Sequence, residues 1–400
     1  MPTIRATVSC PIQDSFRVQQ VSGIFGLPFD GKATERFEVD VPGTRENWQI
    51  GLIVGPSGSG KTTIAGRAFG DRVYAGAAWP SRRAVIDSFD DLSIRRVIEL
   101  FTAVGFSSPP SWLKPYEVLS GGERFRCDLA RALGKSQELR VKSQEPKSAA
   151  ESLSGSRPST LDSRLPLVVF DEFTSVVDRT VAKVCSAAIA KGIRRGSIPC
   201  RFVAVTCHYD VADWLEPDWV VDMSACELFR RSLLWENPLW RRPPIQLEIH
   251  RCDVAAWQLF RRHHYLSEEL PRGARCYLTT WDGVPVNFSA TVPLIAKRNH
   301  RRFARIVTLP DFQGIGIGMR TVAAIAELHR AEGHRMNVTS SHPALVRHCE
   351  RSPLWRLVGI RKWNHPRYSK LFPKYRPTGR TVVSFEYLGR DVGAGGRGEG

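Results

Sequence analysis

The 400-residue sequence lacks long apolar runs: nowhere do eighteen apolar residues stand together, and no charged start followed by an apolar stretch marks its beginning. Because a membrane-spanning helix needs about 20 such residues, we expect a cytoplasmic protein with no membrane partner. The nine cysteines are scattered, with no Cys-x-x-Cys pair and no Cys/His cluster at zinc-ligand spacing. Neither a disulfide framework nor a zinc site is expected.

Acidic residues are scarce in the C-terminal part. Residues 1–224 contain 28 Lys and Arg against 26 Asp and Glu, whereas residues 225–400 contain 29 against 14. The C-terminal part therefore carries +15 of the net charge of +17. Such a surface attracts polyanions, so nucleic acid is the first partner to consider and an anionic cofactor the second. A solvated, arginine-rich surface with neither role is the alternative.

Prolines and polar residues divide the sequence into two regions. A length of 400 residues suits two domains, and the prolines of Asn237–Pro244 disfavour helix and remove backbone donors. Residues from about 135 to 164 are rich in Ser, Lys, Glu and Pro, which predicts a disordered surface insertion. The prediction is an N-terminal domain at 1–236, a linker at 237–244, a second domain at 245–390 and a disordered tail at 391–400.

The segment Gly55–Thr62 has the pattern of a phosphate-binding loop, G-x-x-x-x-G-K-T. It follows the apolar residues 48–54 and precedes residues 62–69, which have helical composition, so the pattern lies between a strand and a helix. Backbone N–H groups and the positive end of the helix dipole can hold the phosphates of ATP there. The predicted ATP-binding residues are Gly55, Ser57, Gly58, Gly60, Lys61, Thr62 and Thr63.

A later apolar segment, Leu165–Phe170, is followed by Asp171 and Glu172. A continuous apolar run of this kind predicts a buried parallel strand. We expect Asp171 and the hydroxyl of Thr62 to hold Mg²⁺. The carboxylate of Glu172 stands beside them and could align water for attack on the γ-phosphate.

Between the phosphate loop and this acidic strand stands Leu119-Ser-Gly-Gly-Glu123, and His208 follows another apolar strand, Arg201–Thr206. The order of these motifs resembles that of the ABC ATPases over roughly residues 15–225. The resemblance implies an α/β domain with a mixed sheet, and a homodimer that sandwiches ATP between two chains. It also implies that Glu172 polarises the attacking water, that His208 senses the γ-phosphate, and that the opposite chain's γ-phosphate contacts Ser120, Gly121 and Gly122.

One departure from the ABC pattern lies between Lys61 and Leu119, where no glutamine occurs. In that family a glutamine in this region couples the ATP state to a partner. Asp87, which ends the apolar Ala84–Ile86, is a candidate replacement, and a capping or turn role is the alternative. With no membrane segment in the sequence, this departure favours a soluble client over a transporter.

A second strand, glycine turn and helix occupies residues 305–331. Its segment Gln313-Gly-Ile-Gly-Ile-Gly318 resembles the pyrophosphate-binding motif of GNAT acyltransferases, and the flanking elements have the family's order, including a hairpin predicted at Asp282-Gly283. The resemblance implies a smaller α/β domain that binds acetyl-CoA through backbone N–H groups and a helix N-terminus. The strand would pair its backbone with the pantetheine arm. The implied acetyl-CoA residues are Val307, Leu309, Gln313, Gly314, Gly316 and Gly318.

The groups that would move protons are less clearly marked. GNAT members often use a tyrosine on the helix after the fifth strand, but residues 343–351 contain none. His348 and Cys349 stand in that neighbourhood; His348 is the candidate acid, and a surface or packing role is the alternative. The cluster Arg261–Ser267, which includes two histidines and Tyr265, lies where the resemblance to the GNAT family implies the acceptor side of the cleft.

Basic and aromatic residues are mixed in the C-terminal part. The cations of residues 297–302 precede the motif strand, and the aromatic residues considered with them are Phe303, Trp355, Trp363 and Tyr368. This mixture suits phosphate contact with base stacking, and help in binding the phosphates of CoA is the alternative.

The sequence thus predicts a soluble ATPase coupled to an acetyltransferase that modifies DNA or RNA. Two alternatives remain open. In one the acceptor is a protein lysine or a small amine, and in the other a non-catalytic GNAT fold serves as a recognition module for the ATPase.

Overall fold

The computed structural model describes residues 2–27, 31–143, 165–231, 242–264, 269–295, 297–363 and 380–389, with only the backbone described at 136–143, 363 and 380. It is a mixed α/β protein with several sheets. The chain forms two compact units. The first contains Met1–Ala78 and Asp128–Pro243, and the second contains Trp79–Cys127 and Pro244–Gly400.

These units differ from the predicted domains in one respect. A division does fall inside the expected linker, between Pro243 and Pro244, although residues 237–241 lie outside the described residues. Residues 79–127, however, group with the second unit, so the predicted first domain at 1–236 is not one continuous body. The Leu119–Glu123 motif consequently belongs to the unit that contains the GNAT-like motif.

The part of the first unit that the structure describes contains two sheets. In one, β1 (Thr3–Pro11) pairs antiparallel with β2 (Lys32–Asp40), and α1 (Phe16–Phe25) joins them. The other has six strands. The strands β3 to β7 run parallel to one another, and β8 runs antiparallel to β7. From edge to edge it consists of β4 (Val73–Tyr74), β5 (Leu167–Phe170), β6 (Arg201–Thr206), β3 (Ile50–Val54), β7 (Trp219–Asp222) and β8 (Glu227–Arg230).

Helices cover the six-stranded sheet, whose central strands are buried on both faces, as β3 and β6 are at every position. The helix α2 (Lys61–Phe69) follows β3 directly, and Phe69 stacks on Trp219 in the core. The other helices with residues in this unit are the later part of α5 (Gly121–Ser143), α6 (Arg179–Arg194) and α7 (Val211–Leu215).

The helix α5 corrects part of the predicted insertion. Residues 135–143 are helical, whereas the sequence composition suggests disorder from about 135. Lys, Gln, Glu, Leu and Arg in this stretch favour helix, so a helix nucleated by the preceding buried turns can continue through polar residues. Residues 144–164 lie outside the described residues.

The second unit contains α3 (Ile94–Ala103), α4 (Pro109–Trp112), the beginning of α5 and a seven-stranded sheet. Every neighbouring pair in this sheet is antiparallel apart from β12 and β13. The strands lie in the order β9 (Glu248–Cys252), β10 (Arg275–Trp281), β11 (Val284–Pro293), β12 (His300–Thr308), β13 (Arg335–Ser340), β15 (Arg380–Tyr387) and β14 (Trp355–Trp363).

The described helices that accompany this sheet are α8 (Trp257–Phe260), α9 (Ile317–Ala331) and α10 (Pro343–Arg351). The hairpin predicted at Asp282-Gly283 joins β10 and β11, with φ of 50° and 76° at the two turn residues. Apolar side chains of α9 pack with β-strand residues in the core of this unit. Among the described residues, none of the helices combines the length and apolarity that a bilayer crossing needs.

A buried histidine lies in this core. His329 of α9 is fully enclosed, its Nε2 lies 3.0 Å from the hydroxyls of both Tyr277 and Thr291, and its Nδ1 lies 3.0 Å from Glu332 Oε2. Burial lowers the pKa of His329, although its hydrogen bond with Glu332 opposes that effect. Burial is also the largest cause of the lowered pKa of His263 and of His342.

The lowered pKa values of His329, His263 and His342 predict that acid destabilises the protein. A histidine whose pKa is lower when folded takes up its proton more readily when unfolded, so stability falls as the pH drops below the ordinary value of 6.5. We expect the midpoint of thermal unfolding, followed by circular dichroism, to be lower at pH 5.5 than at pH 7.5. A midpoint that rises on acidification would contradict this sign.

Candidate functional sites

The predicted phosphate loop lies between a buried strand and a helix, as its sequence indicates. It leaves the carboxyl end of β3 and leads into α2, which begins at Lys61 with Gly60 as its N-cap. The Nζ atom of Lys61 donates to the carbonyl oxygen of Pro56 at 2.6 Å, so the lysine folds back over the loop. The remaining predicted residues, Gly55, Ser57, Gly58, Thr62 and Thr63, belong to this loop and to the first turn of α2.

The carboxyl ends of three adjacent strands gather the other predicted residues of the ATP site in this unit. The strand β6, which His208 follows, lies between β3 and β5, and Asp171 follows β5. The Thr62 hydroxyl donates to Asp171 Oδ1 at 3.3 Å. Glu172 is exposed in the next position, with φ of 51°, and accepts a hydrogen bond from the Ser175 hydroxyl at 2.5 Å.

The Leu119–Glu123 motif begins the helix α5. Ser120 and Glu123 form a capping box: the backbone N–H of Glu123 donates to Ser120 Oγ at 3.3 Å, and that of Ser120 donates to Glu123 Oε2 at 3.0 Å. Burial acts to raise the pKa of Glu123, but hydrogen bonds from Ser111 and Ser120 outweigh it and hold the pKa below its ordinary value. Gly121 and Gly122 are the first two residues of the helix.

Asp87, the candidate for the missing glutamine, lies in a short 3₁₀ turn at Val85–Ser88 rather than at the end of a strand. Its backbone N–H donates to the carbonyl oxygen of Ala84 at 3.0 Å. The turn belongs to the second unit. Its role as a substitute for the glutamine stays a prediction.

The seven-stranded sheet opens between β12 and β13. The two strands are parallel partners over only three residue pairs, His300–Arg302 with Arg335–Asn337. Beyond these pairs β12 continues to Thr308 without pairing to β13, while β13 continues to pair with β15. The carboxyl ends of β12 and β13 therefore separate and leave a cleft with strand backbone along its side.

A bulge lies in β12 beside this cleft. Ala290 pairs with Arg305 and the next residue of β11, Thr291, pairs with Phe303, so Ala304 is the extra residue. A bulge reverses the face to which the following side chains point. Phe303 accordingly packs with α9 residues in one core cluster, and Val307 packs with Trp257 and Phe260 in the other.

This geometry corrects the predicted contact with a pantetheine arm. The backbone N–H of Leu309 donates to the carbonyl oxygen of Val286 at 3.0 Å, and antiparallel alternation turns the backbone of Val307 toward β11 as well. The backbone N–H and C=O groups that face the cleft are those of Ile306 and Thr308. Val307 and Leu309 are therefore one position out of register with the backbone that could pair with a ligand.

The turn after β12 has the backbone of a phosphate-binding turn. Gly314 and Gly316 have φ of 93° and 101°, which side chains with a Cβ rarely adopt, and Gly316 is the N-cap of α9. A Cβ at Gly318 would lie 2.9 Å from Thr308 Oγ1, so only glycine lets α9 approach β12 this closely. The 15-residue helix α9 thus begins beside the end of β12, and the first N–H groups of a helix have no partner within the helix.

Gln313, the first residue of the motif, does not point freely into solvent. Its Nε2 donates to the carbonyl oxygen of Thr308 at 2.9 Å, and its Oε1 accepts from the backbone N–H of Ser107 at 2.9 Å. The side chain therefore connects β12 to residues that the sequence alone assigns to another domain.

The candidate proton-transfer residues are spread over α10 and the segment after α8. His348 is exposed on α10, whereas Cys349 is buried and burial raises its pKa to about 12. His342, which lies outside every motif, follows β13, and its Nε2 donates to the carbonyl oxygen of Ser107 at 3.2 Å. Of the cluster Arg261–Ser267, the last three residues lie outside the described residues.

The predicted basic and aromatic surface is only partly present. Lys297, Arg298 and Arg302 are exposed, but Arg301 is buried and donates to the carbonyl oxygen of Thr291 at 3.3 Å. Phe303 and Trp355 are buried in the core, so the prediction that they stack on bases is wrong. The side chain of Trp363 and the whole of Tyr368 lie outside the described residues.

Comparison with known proteins gives structural neighbours only. No protein-family model and no curated protein matches this chain. The ribosomal-protein-S18-alanine N-acetyltransferase of Escherichia coli matches 37% of this chain and 99% of its own, with 16% identity and a TM-score of 0.28. A GNAT-family acetyltransferase of Elizabethkingia anophelis, solved with acetyl-CoA bound, matches 36% of this chain and 98% of its own, with 13% identity and a TM-score of 0.28.

Proposed function

We propose that this protein is an ABC-type ATPase joined to a GNAT-like acetyltransferase that uses acetyl-CoA. The observation that carries the transferase part is the separation of β12 and β13, with a bulge at Ala304 and a left-handed glycine turn leading into α9. The cleft-facing backbone of Ile306 and Thr308 suits the amides of a pantetheine arm. The N–H groups at Gly314–Gly318 suit a pyrophosphate.

The ATPase part rests on the first unit. Its phosphate loop, the Asp171-Glu172 pair and His208 follow three adjacent strands, which is where a parallel sheet collects ligand-binding residues. Thr62 and Asp171, already in contact, would hold Mg²⁺, which neutralises phosphate charge when bound. Glu172 would align the attacking water. The ATP sandwich proposed here adds Ser120–Gly122 from a second copy of the chain, because each chain contains one set of motifs.

The proposed acyl acceptor is an amine of DNA or RNA. The support is the charge of the C-terminal part and the exposed cations Lys297, Arg298 and Arg302, which begin and flank β12. Direct transfer needs a neutral amine, an acetyl thioester held in the cleft and an acid that protonates the departing thiolate. His348 is the residue proposed as that acid. A protein lysine or a small amine is the competing acceptor.

Salt dependence tests this assignment. We expect DNA or RNA to bind the protein and stimulate its ATP hydrolysis, and the affinity to fall by about tenfold or more between 50 and 200 mM salt, because phosphate contacts release counterions. Reversing three charges together, K297E, R298E and R302E, should weaken binding while the affinity for acetyl-CoA, measured by calorimetry, is kept. If the protein binds neither DNA nor RNA, or if the binding does not depend on salt, the acceptor is instead a protein lysine or a small amine.

A further inference from the structure

One short loop of the second unit spans the open end of the cleft. The backbone N–H of Ser107 donates to Gln313 Oε1 at 2.9 Å, and the carbonyl oxygen of Ser107 accepts from His342 Nε2 at 3.2 Å. Gln313 follows β12 and His342 follows β13. Ser107 therefore connects the two strand ends that have separated.

The fit of this loop is close. A Cβ at Gly105 would lie 2.8 Å from the backbone oxygen of Gln313. Gln313 Nε2 also donates to the carbonyl oxygen of Thr308, an acceptor that faces the cleft, and the loop holds Gln313 in place through the hydrogen bond from Ser107. A pantetheine arm would need that same acceptor, so the loop contacts and the ligand compete for polar groups.

Two charged contacts accompany the loop. Arg347 of α10 forms an ion pair with Glu99 of α3. Arg126, one helical turn beyond Gly122, is buried with its Nη2 atom 3.5 Å from Asp311 Oδ1, in the 3₁₀ turn that precedes Gln313. Within the described part of the chain, Nε and Nη1 of Arg126 have no hydrogen-bond partner. A buried guanidinium that is only partly satisfied opposes the arrangement that encloses it.

The geometry points to a gate formed by residues 104–108, which closes the acyl-CoA cleft until the ATP of a second chain engages Ser120–Gly122. The inference rests on the proposed function, since it assigns that site its regulation. Ser120–Gly122 begin the helix that carries Arg126, and the loop and this helix start belong to the same unit as the cleft. A displacement of the helix start on ATP binding moves Arg126 away from Asp311 and withdraws the loop from Gln313. By linkage, acetyl-CoA must then tighten ATP binding by the same factor.

The test measures acetyl-CoA affinity of the full chain by calorimetry, without nucleotide and with a non-hydrolysable ATP analogue plus Mg²⁺. We expect the analogue to tighten binding by about tenfold, within the usual range of coupling between sites. The variant R347E, which sets two carboxylates against each other, should bind acetyl-CoA about as tightly without nucleotide as the unmodified protein does with the analogue. The double variant E99R/R347E should return the affinity toward its original value.

A matched control uses the same helix. Arg351 is exposed at the end of α10, and R351E makes the same charge change away from Glu99, so it should leave the affinity unchanged in both states. Acetyl-CoA binding that is equally tight in all these proteins and states overturns the gate and leaves the transferase proposal standing. If none of these proteins binds acetyl-CoA, both the gate and the transferase proposal are wrong.

Discussion

Replacing Gly316 by glutamate is expected to abolish acetyl-CoA binding, with a loss of affinity of about 100-fold or more. Gly316 has φ of 101° at the N-cap of α9, where a Cβ is strained, so the new side chain distorts the turn. Its carboxylate also stands at the helix N-terminus, where it takes the place of a phosphate and repels the pyrophosphate. Calorimetry with acetyl-CoA and transfer of a labelled acetyl group both report the loss.

The hairpin turn provides the control for this change. Gly283 has φ of 76°, lies in open space and joins β10 to β11, so G283E imposes similar backbone strain and the same charge away from the cleft. We expect G283E to retain acetyl-CoA binding. If G316E binds acetyl-CoA as tightly as G283E does, the turn does not hold the pyrophosphate and the transferase proposal loses its main support.

The local elements around both sites could be predicted because their signals lie within short segments. The phosphate loop lies between β3 and α2, the helix at Pro343–Arg351 has its predicted bounds, and the hairpin turns at Asp282-Gly283. In each case the strand, turn or helix is determined by neighbouring residues, through apolar runs or the backbone freedom of glycine. The separation of β12 from β13 is not local, since it depends on which strands pair.

Two wrong expectations concern β12. Arg301 and Phe303 stand two residues apart at the beginning of β12 and both are buried, a period-two signal that the sequence does contain. The sequence predicts that residues 297–302 precede the strand, whereas β12 already begins at His300, and this difference obscures the signal. After the bulge the alternation changes face, so no simple periodicity shows that Ile306 and Thr308, rather than Val307 and Leu309, turn their backbone to the cleft.

The contact of residues 79–127 with the cleft between β12 and β13 could not be predicted from either motif. The participants, Ser107 and His342, are 235 positions apart, and neither belongs to a motif. His342 does stand directly between a strand and Pro343, the first residue of α10, and that position alone could have drawn attention to it. Because Leu119–Glu123 groups with the second unit, the ABC-like motifs are divided between the two compact units.

Changing Glu172 to glutamine should slow ATP hydrolysis by about 100-fold or more while ATP still binds, because an amide cannot accept the proton of the attacking water. The substitution keeps the shape of the side chain and its hydrogen bond from Ser175, so the phosphate loop and the Thr62–Asp171 contact should persist. ATP that is bound but not hydrolysed should then hold two chains together, and light scattering after chromatography with ATP should report a dimer.

The control is E227Q, a change at an exposed glutamate of β8, which should hydrolyse ATP at the normal rate. Rapid hydrolysis by E172Q, or a monomer alone in the presence of ATP, would contradict the proposed sandwich and with it the route by which ATP reaches the gate.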